Sequence, residues 1–304
     1  MSNVRGIEAA RAALAQGRPA IVWLRQVADT DTPVAAALKL FESGRGDFLL
    51  ESVEGGATRG RYSLLGIAPD LLFRAHGDRA EINRSWAGDR AAFSPCPEPT
   101  LAALRSLVAE CLIPDLPAEL PGALACLVGC FGYETVGLVE SLPRPDSDPI
   151  GVPDMIFARP GVLLVFDRLA DELFIAAPVW PDGSIDAAVE RVEATAARLA
   201  TAALPAPVRS EHPPVTATPT TPAERYAAMV ARAQDYIAAG DIFQVVLAQR
   251  FTTPFALPPI ELYRALRRIN PSPFLYHLDL PGFALVGSSP EILVRLRDGE
   301  VTIR

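Results

Sequence analysis

The sequence predicts an α+β protein with mixed sheets and flanking helices, divided into two domains by a linker. Helix and strand signals follow one another without the regular alternation that marks a parallel sheet. The chain has 304 residues, 50% of them hydrophobic, which is enough for two domains with their own cores. Residues 205–222 include six prolines and predict an extended, exposed linker. The predicted division is therefore 1–204, a Pro/Thr-rich linker at 205–222, and 223–304.

The charge balance argues against nucleic acid and anionic membrane surfaces as partners. The net charge is −8 and the isoelectric point lies near 5.0, values that disfavour polyanion binding. No apolar run is long enough to span a membrane, and the N-terminus has no apolar signal core. We therefore expect a cytoplasmic protein whose four cysteines are structural thiols.

The N-terminal part combines short strands with amphipathic helices. Apolar runs at 20–25 and 47–52 predict strands, and Thr32-Pro33 between them predicts a helix start. Residues 161–180 contain two apolar runs around a polar turn, which predicts a hairpin. Residues 184–204 carry apolar side chains at helical spacing up to the linker.

The signals are stronger after the linker. Residues 221–224 (TPAE) predict a capping box with proline at the first helical position, and Gly240 predicts the end of that helix. A strand is predicted at 242–252 and a short helix at 261–268. Two hairpins follow, the first with a Pro-Gly turn (274–287) and the second with an Asp-Gly turn (291–304).

The residues by themselves offer few catalytic candidates. The three histidines, at positions 76, 212 and 277, are far apart in the chain. A metal site or a triad requires side chains that converge in space, so the ordinary interpretation is three unrelated histidines. The single lysine, Lys39, stands in no phosphate-loop motif.

Several segments, in matching order, resemble anthranilate synthase component I, a chorismate-utilising enzyme family. LLES (49–52) followed by GRYS (60–63) is similar to its N-terminal signature. GDIFQVVLAQRF (240–251) is similar to the first motif of its chorismate-binding domain. NPSPFL (270–275), continuing to LVGSSPE (285–291), resembles the next motif of that domain.

The resemblance implies a lyase of tryptophan biosynthesis that uses chorismate, ammonia and Mg²⁺. Ammonia would come from glutamine through a separate glutamine amidotransferase subunit, and the products would be anthranilate and pyruvate. The family's catalytic and Mg²⁺-binding motifs belong to a later part of the chorismate-binding domain, and none of them is present here. We therefore expect a truncated, inactive chain with no catalytic or metal residue of its own. Amide exchange is expected to be faster over 223–304 than over 20–200.

The resemblance also implies a feedback site for L-tryptophan between the two strand segments. It places Ser52, with Glu51 beside it, on one side, and Pro273, Phe274 and Leu275 on the other. A hydroxyl or carboxylate suits the amino-acid head group, and an apolar wall suits the indole. The structural alternatives are that Ser52 satisfies a turn and that Pro-Ser-Pro steers the chain into its hairpin.

Two other functions stay open. Relatives that add water to chorismate resemble this chain but carry a lysine base where Gln244 stands, so Gln244 favours ammonia as the nucleophile. Aminodeoxychorismate synthase component I, which adds ammonia at another carbon, shares several motif residues. A non-catalytic tryptophan-binding, subunit-docking fragment is the third interpretation.

Overall fold

A computed structural model describes residues 3–52, 60–122, 124, 127–143, 148–206, 216–297 and 299–303. The chain forms two compact units, one of residues 1–205 with 259–304 and a smaller one of residues 206–258. The helices are α1 (Ile7–Leu14), α2 (Pro33–Leu40), α3 (Thr100–Glu110), a 3₁₀ helix (Tyr133–Leu138), α4 (Ile185–Thr201), α5 (Ala223–Ala239) and α6 (Pro259–Ile269).

The strands are mostly short. In chain order they are β1 (Ala20–Val27), β2 (Asp47–Glu51), β3 (Tyr62–Ile67), β4 (Leu71–His76), β5 (Arg79–Asn83), β6 (Ser94–Pro95), β7 (Val128–Phe131), β8 (Met155–Arg159), β9 (Val162–Asp167), β10 (Glu172–Val179), β11 (Thr218–Pro219), β12 (Phe251–Thr252), β13 (Phe274–Leu280), β14 (Phe283–Ser289), β15 (Arg295–Arg297) and β16 (Glu300–Thr302).

Two antiparallel sheets make up most of the larger unit. The first has seven strands in the order β1-β10-β9-β3-β2-β13-β14, and the second has five in the order β6-β5-β4-β8-β7. Side chains alternate between the two faces of each strand, so the seven-stranded sheet has two apolar faces. Phe48 and Leu64 belong to a core cluster shared with the five-stranded sheet and α3. Leu49 and Leu65 belong to a second cluster, shared with α1, α2, α4 and α6.

The predicted N-terminal elements are present. The Thr32 hydroxyl accepts the Ala35 N–H at 3.1 Å, and Pro33 is the first residue of α2. Ser184 caps α4 in the same way, accepting the Ala187 N–H at 3.2 Å. The hairpin predicted at 161–180 is β9–β10. These helices and antiparallel strands confirm the α+β class.

The smaller unit differs in two ways from what the sequence predicts. Helix α5 begins after Pro222, which makes no side-chain cap, and ends at Gly240 with φ of 80° as predicted. The strand predicted at 242–252 is confined to β12, which pairs with β11. Gln249 instead bonds the backbone of Thr221, donating to its oxygen at 2.7 Å and accepting its N–H at 3.2 Å.

The domain boundaries also differ from the predicted ones. The first unit ends at Pro205, next to the predicted boundary, but residues 259–304 belong to it rather than to the second unit. The physical reason is backbone pairing, because β13 joins the seven-stranded sheet beside β2. Much of the predicted linker, residues 207–215, lies outside the described residues.

Candidate ligand-binding site

The pairing of β2 with β13 brings the two predicted halves of the tryptophan site together. The strands run antiparallel, with Glu51 opposite Leu275 and Leu50 opposite Tyr276. Ser52 immediately follows β2, and the buried Pro273 immediately precedes β13. LLES and NPSPFL, more than two hundred residues apart along the chain, are therefore neighbours at one end of the sheet.

The predicted residues do not all face the same side of that sheet. Leu49 and Leu275 pack in the helix-covered cluster, and Glu51 shares their face by strand alternation. Phe274 lies on the opposite face, in step with Leu278, and one more residue of the β2 alternation would place Ser52 there with Leu50. Leu275 is 1% exposed, whereas Phe274 is 42% exposed. A ligand against Ser52 would accordingly meet Phe274 and not the side chain of Leu275.

Two tyrosines, missed by the sequence analysis, share the face of Ser52. Tyr276 lies two residues after Phe274, and a Cβ at Gly287 on β14 would stand only 2.1 Å from its ring. The lack of a side chain at Gly287 thus leaves the space that Tyr276 fills. Tyr62 on β3 carries the Arg61 guanidinium 4.9 Å from its ring centroid. A hydroxyl beside aromatic rings suits a flat apolar ligand with a polar head.

Glu51 is committed to other side chains. Its carboxylate is buried and accepts from the Tyr263 hydroxyl at 2.6 Å. Arg267 donates to both carboxylate oxygens, from Nε at 2.8 Å and from Nη2 at 3.1 Å. The Ser63 hydroxyl lies 3.3 Å away. Burial, with the Glu51 charge and hydrogen bond adding to it, raises the pKa of Tyr263 strongly and keeps the phenol protonated.

These partners of Glu51 were not predicted from the sequence. Tyr263 and Arg267 are four residues apart on α6, so they share one face of the helix. That spacing was the available signal, but nothing in the sequence connects this face with residue 51.

His277 is buried on the helix-covered face of β13. It is 1% exposed and lies between the rings of Phe41 and Tyr263, each with its centroid 6.0 Å away. Its Nδ1 has no hydrogen-bond partner among the described residues. Burial lowers the pKa of His277, against a smaller opposing influence of Asp279, and favours the neutral imidazole.

The described residues offer no donor set for a metal ion. Within those ranges, no three His, Cys, Asp or Glu side chains are arranged to hold one. His76 is exposed, and His212 lies outside the described residues. Cys96, Cys111 and Cys130 are free thiols, while Cys126 is outside the described residues. The side chains described therefore offer no site for Mg²⁺.

Two further features of the described residues lie apart from the β2–β13 site. Gln244 is an exposed residue of the smaller unit. A cavity of about 670 Å³ lies beside the β4–β5 turn; His76 lines it, and no residue of the predicted tryptophan site does. No helix in the described part of the chain has the length and apolar character to cross a bilayer.

Comparison with known proteins finds relatives that match most of the chain. The chain is 45% identical over 298 residues to anthranilate synthase component 1 of Cereibacter sphaeroides, covering 95% of this chain and 59% of that protein. It is 38% identical over 291 residues to the protein of the same name from Pseudomonas aeruginosa, covering 91% and 57%. The chain thus spans less than two thirds of these curated relatives.

A solved structure shows the same fold. Anthranilate synthase component I from Streptococcus pneumoniae TIGR4 matches with a TM-score of 0.64 and 24% identity, covering 91% of this chain and 59% of that one. The predicted resemblance and fold class are confirmed by these matches. A family described as chorismate binding enzyme matches residues 84–304, most of the chain. The protein belongs to the chorismate binding enzyme family.

Proposed function

We propose that this chain is part of an anthranilate synthase component I. The observation that supports this most is the 45% identity, over 95% of the chain, to a relative of that name. The proposed reaction converts chorismate and ammonia to anthranilate, pyruvate and water. The amine is added at C2, the C4 hydroxyl leaves as water, and the enolpyruvyl group leaves as pyruvate with a proton lost from C2.

The proposal includes the partners that such a reaction needs. A glutamine amidotransferase subunit would release ammonia from glutamine, and Mg²⁺ would neutralise the carboxylates of chorismate. The expected compartment is the cytoplasm. No described side chain is given a role in these steps.

We also propose that L-tryptophan binds where β2 and β13 meet. Ser52 would contact the amino-acid head group, and Phe274 would form the apolar wall with the Tyr276 ring beside it. Leu275 and Pro273 would shape the site through the backbone. The exposure of Phe274, 42%, supports this arrangement.

Calorimetric titration with L-tryptophan tests the site. We expect saturable binding by the wild-type chain and its loss in Ser52→Phe, because the larger ring would fill the space of the ligand. Ser94→Phe, at an exposed position in the other sheet, is the matched control and should bind normally. A folded wild-type chain that binds no tryptophan contradicts this site.

Product analysis tests the reaction. The chain is incubated with chorismate, ammonium and Mg²⁺, and anthranilate is followed by its fluorescence. Anthranilate release supports the whole proposal. Tryptophan binding without turnover identifies a binding module, and an aminated chorismate without anthranilate identifies the aminodeoxychorismate synthase reaction.

A further inference from the structure

We infer that Glu51, Tyr263 and Arg267 are positioning residues that fix the segment 270–275 against Ser52. This inference rests on the proposed tryptophan site and extends it. Glu51 lies next to Ser52 in sequence, yet its side chain is turned to the opposite face of the sheet. Its role is therefore to place the wall of the site, and the ligand does not contact it.

The Glu51 carboxylate is fully engaged by side chains of the protein itself. Both oxygens accept hydrogen bonds, at 2.6 Å from Tyr263, 2.8 and 3.1 Å from Arg267, and 3.3 Å from Ser63. The Glu51 side chain is fully buried and that of Arg267 is 26% exposed. A buried carboxylate with this set of donors is already satisfied. An ammonium group from a ligand would have to displace one of them.

Glu51 contacts the chain on both sides of the segment 270–275. Its side chain holds Arg267 near the end of α6, and its backbone pairs with Leu275 near the start of β13. The intervening residues include Pro271 and also Pro273, which belongs to the predicted wall. Glu51 thus holds both ends of the segment between Arg267 and Leu275. Because this segment is short, the position of Phe274 within it is restricted.

Hydrogen bonds to β14 and within the segment also hold residues 270–275. The Ser288 hydroxyl donates to the backbone carbonyl oxygen of Asn270 at 2.6 Å. The Phe274 N–H donates to the Ser272 hydroxyl at 3.4 Å. Ser272 is itself 4% exposed. The segment is consequently held by β14 and by its own turn as well as by Glu51. Releasing Arg267 frees one end while the other contacts remain.

The test compares Arg267→Gln and Tyr263→Phe with Arg264→Gln. Arg264 is on the same helix but pairs with Glu261 near the surface, at 2.8 Å, so it is a matched control. Calorimetry gives two separate values, the dissociation constant of the site and the stoichiometry, which reports the folded fraction. A merely structural role would lower the stoichiometry and leave the dissociation constant unchanged.

We expect Arg267→Gln to raise the dissociation constant for L-tryptophan about tenfold at unchanged stoichiometry, since a hydrogen-bonded charge is lost. Tyr263→Phe, the milder variant, should raise it about threefold, as one hydrogen bond is removed. Arg264→Gln should bind as the wild type does. A wild-type dissociation constant in folded Arg267→Gln overturns the inference.

Amide exchange at Asn270, Ser272, Phe274 and Leu275 gives a readout that needs no ligand. Exchange at these positions should become faster in Arg267→Gln and stay unchanged in Arg264→Gln. Unchanged exchange in both variants overturns the positioning role, whatever the tryptophan result. Faster exchange in a chain that binds no tryptophan supports the clamp on 270–275 and overturns the tryptophan site alone.

Discussion

Helices α4 and α5 are both 17 residues long, and both have an apolar stripe on one face. Helix α4 buries Ala188, Val192, Thr195 and Leu199 against the larger unit. In α5, every residue of which the structure describes, none is buried. An apolar stripe therefore shows that a helix has a face to bury, and only the surrounding fold decides whether that face is covered.

Amide exchange is the broadest test of this contrast. We expect the central amides of α4 to exchange several orders of magnitude more slowly than those of α5, because buried helices open only with global unfolding. The amides of strands β13 and β14 should be protected like those in the rest of their sheet. The faster exchange expected over 223–304 should therefore be limited to residues outside these two strands. Equal protection of the two helices would contradict the contrast.

Truncating an apolar side chain to alanine should cost more unfolding free energy in α4 than in α5, a smaller effect than the difference in amide exchange. Leu199 is 1% exposed and Ile237 is 47% exposed. Leu199→Ala should lower the free energy of unfolding by about 3 kcal/mol, through lost transfer energy and a residual cavity. Ile237→Ala should change it by less than about 0.5 kcal/mol. Urea unfolding of both variants measures the difference, and similar losses would mean that α5 is covered in solution.

The free energy of unfolding should depend on pH through His277, which is buried on the face of the sheet that α4 also covers. The pKa of His277 is lowered from 6.5 in the folded chain, so the unfolded chain takes up this proton first as the pH falls. Stability contributed by the neutral imidazole is present above about pH 6.5 and is lost below it, by at most about 1.4 kcal/mol per pH unit.

Replacing the imidazole tests this slope. His277→Leu should flatten the dependence of unfolding free energy between about pH 6.5 and 5, whereas His76→Leu, at an exposed position, should not. Burial raises the pKa of Asp47, which contributes a slope of opposite sign in both proteins. The comparison therefore depends on the difference between variant and wild type. If the pH dependence of the unfolding free energy is the same in His277→Leu as in the wild type, protonation of His277 does not destabilise the folded chain.

The smallest expected effect is at the helix starts. Ser184 caps α4 through its hydroxyl, whereas Pro222 before α5 makes no side-chain cap. Ser184→Ala should cost about 1 kcal/mol of unfolding free energy, and Ser184→Thr should retain most of the cap. Thermal unfolding of the two variants decides this, and equal melting temperatures would show that the cap hydroxyl adds nothing.

Local rules predicted the elements whose signals are local. The cap at Thr32, the turn at Gly282 with φ of 84° and the apolar stripe of α4 each follow from a few neighbouring residues. The prediction of a strand at 242–252 was wrong for most of its length, because a strand needs a partner and within this range only Phe251 and Thr252 pair with another strand. The compact units divide the chain elsewhere than predicted for the converse reason, since β13 pairs with β2 on the other side of the linker in the sequence.

The same distinction between local and long-range signals applies to the residues of the candidate site. Motif resemblance named Ser52 and Phe274, and strand pairing places them together. Period-two alternation separates Leu275 from Phe274, and this was already readable in the sequence. Tyr263 and Arg267 were not, because no sequence pattern states which buried carboxylate a helix will meet.

The position of β13 beside β2 has a consequence for the order of synthesis. Five strands of the larger sheet, ending with β10, are complete before β13 leaves the ribosome. Until then β2 is an edge strand with apolar residues and open backbone groups, a state prone to pairing with other chains. The neighbour that β2 lacks is thus supplied by a segment made about two hundred residues later, a long-range step of the kind that slows folding.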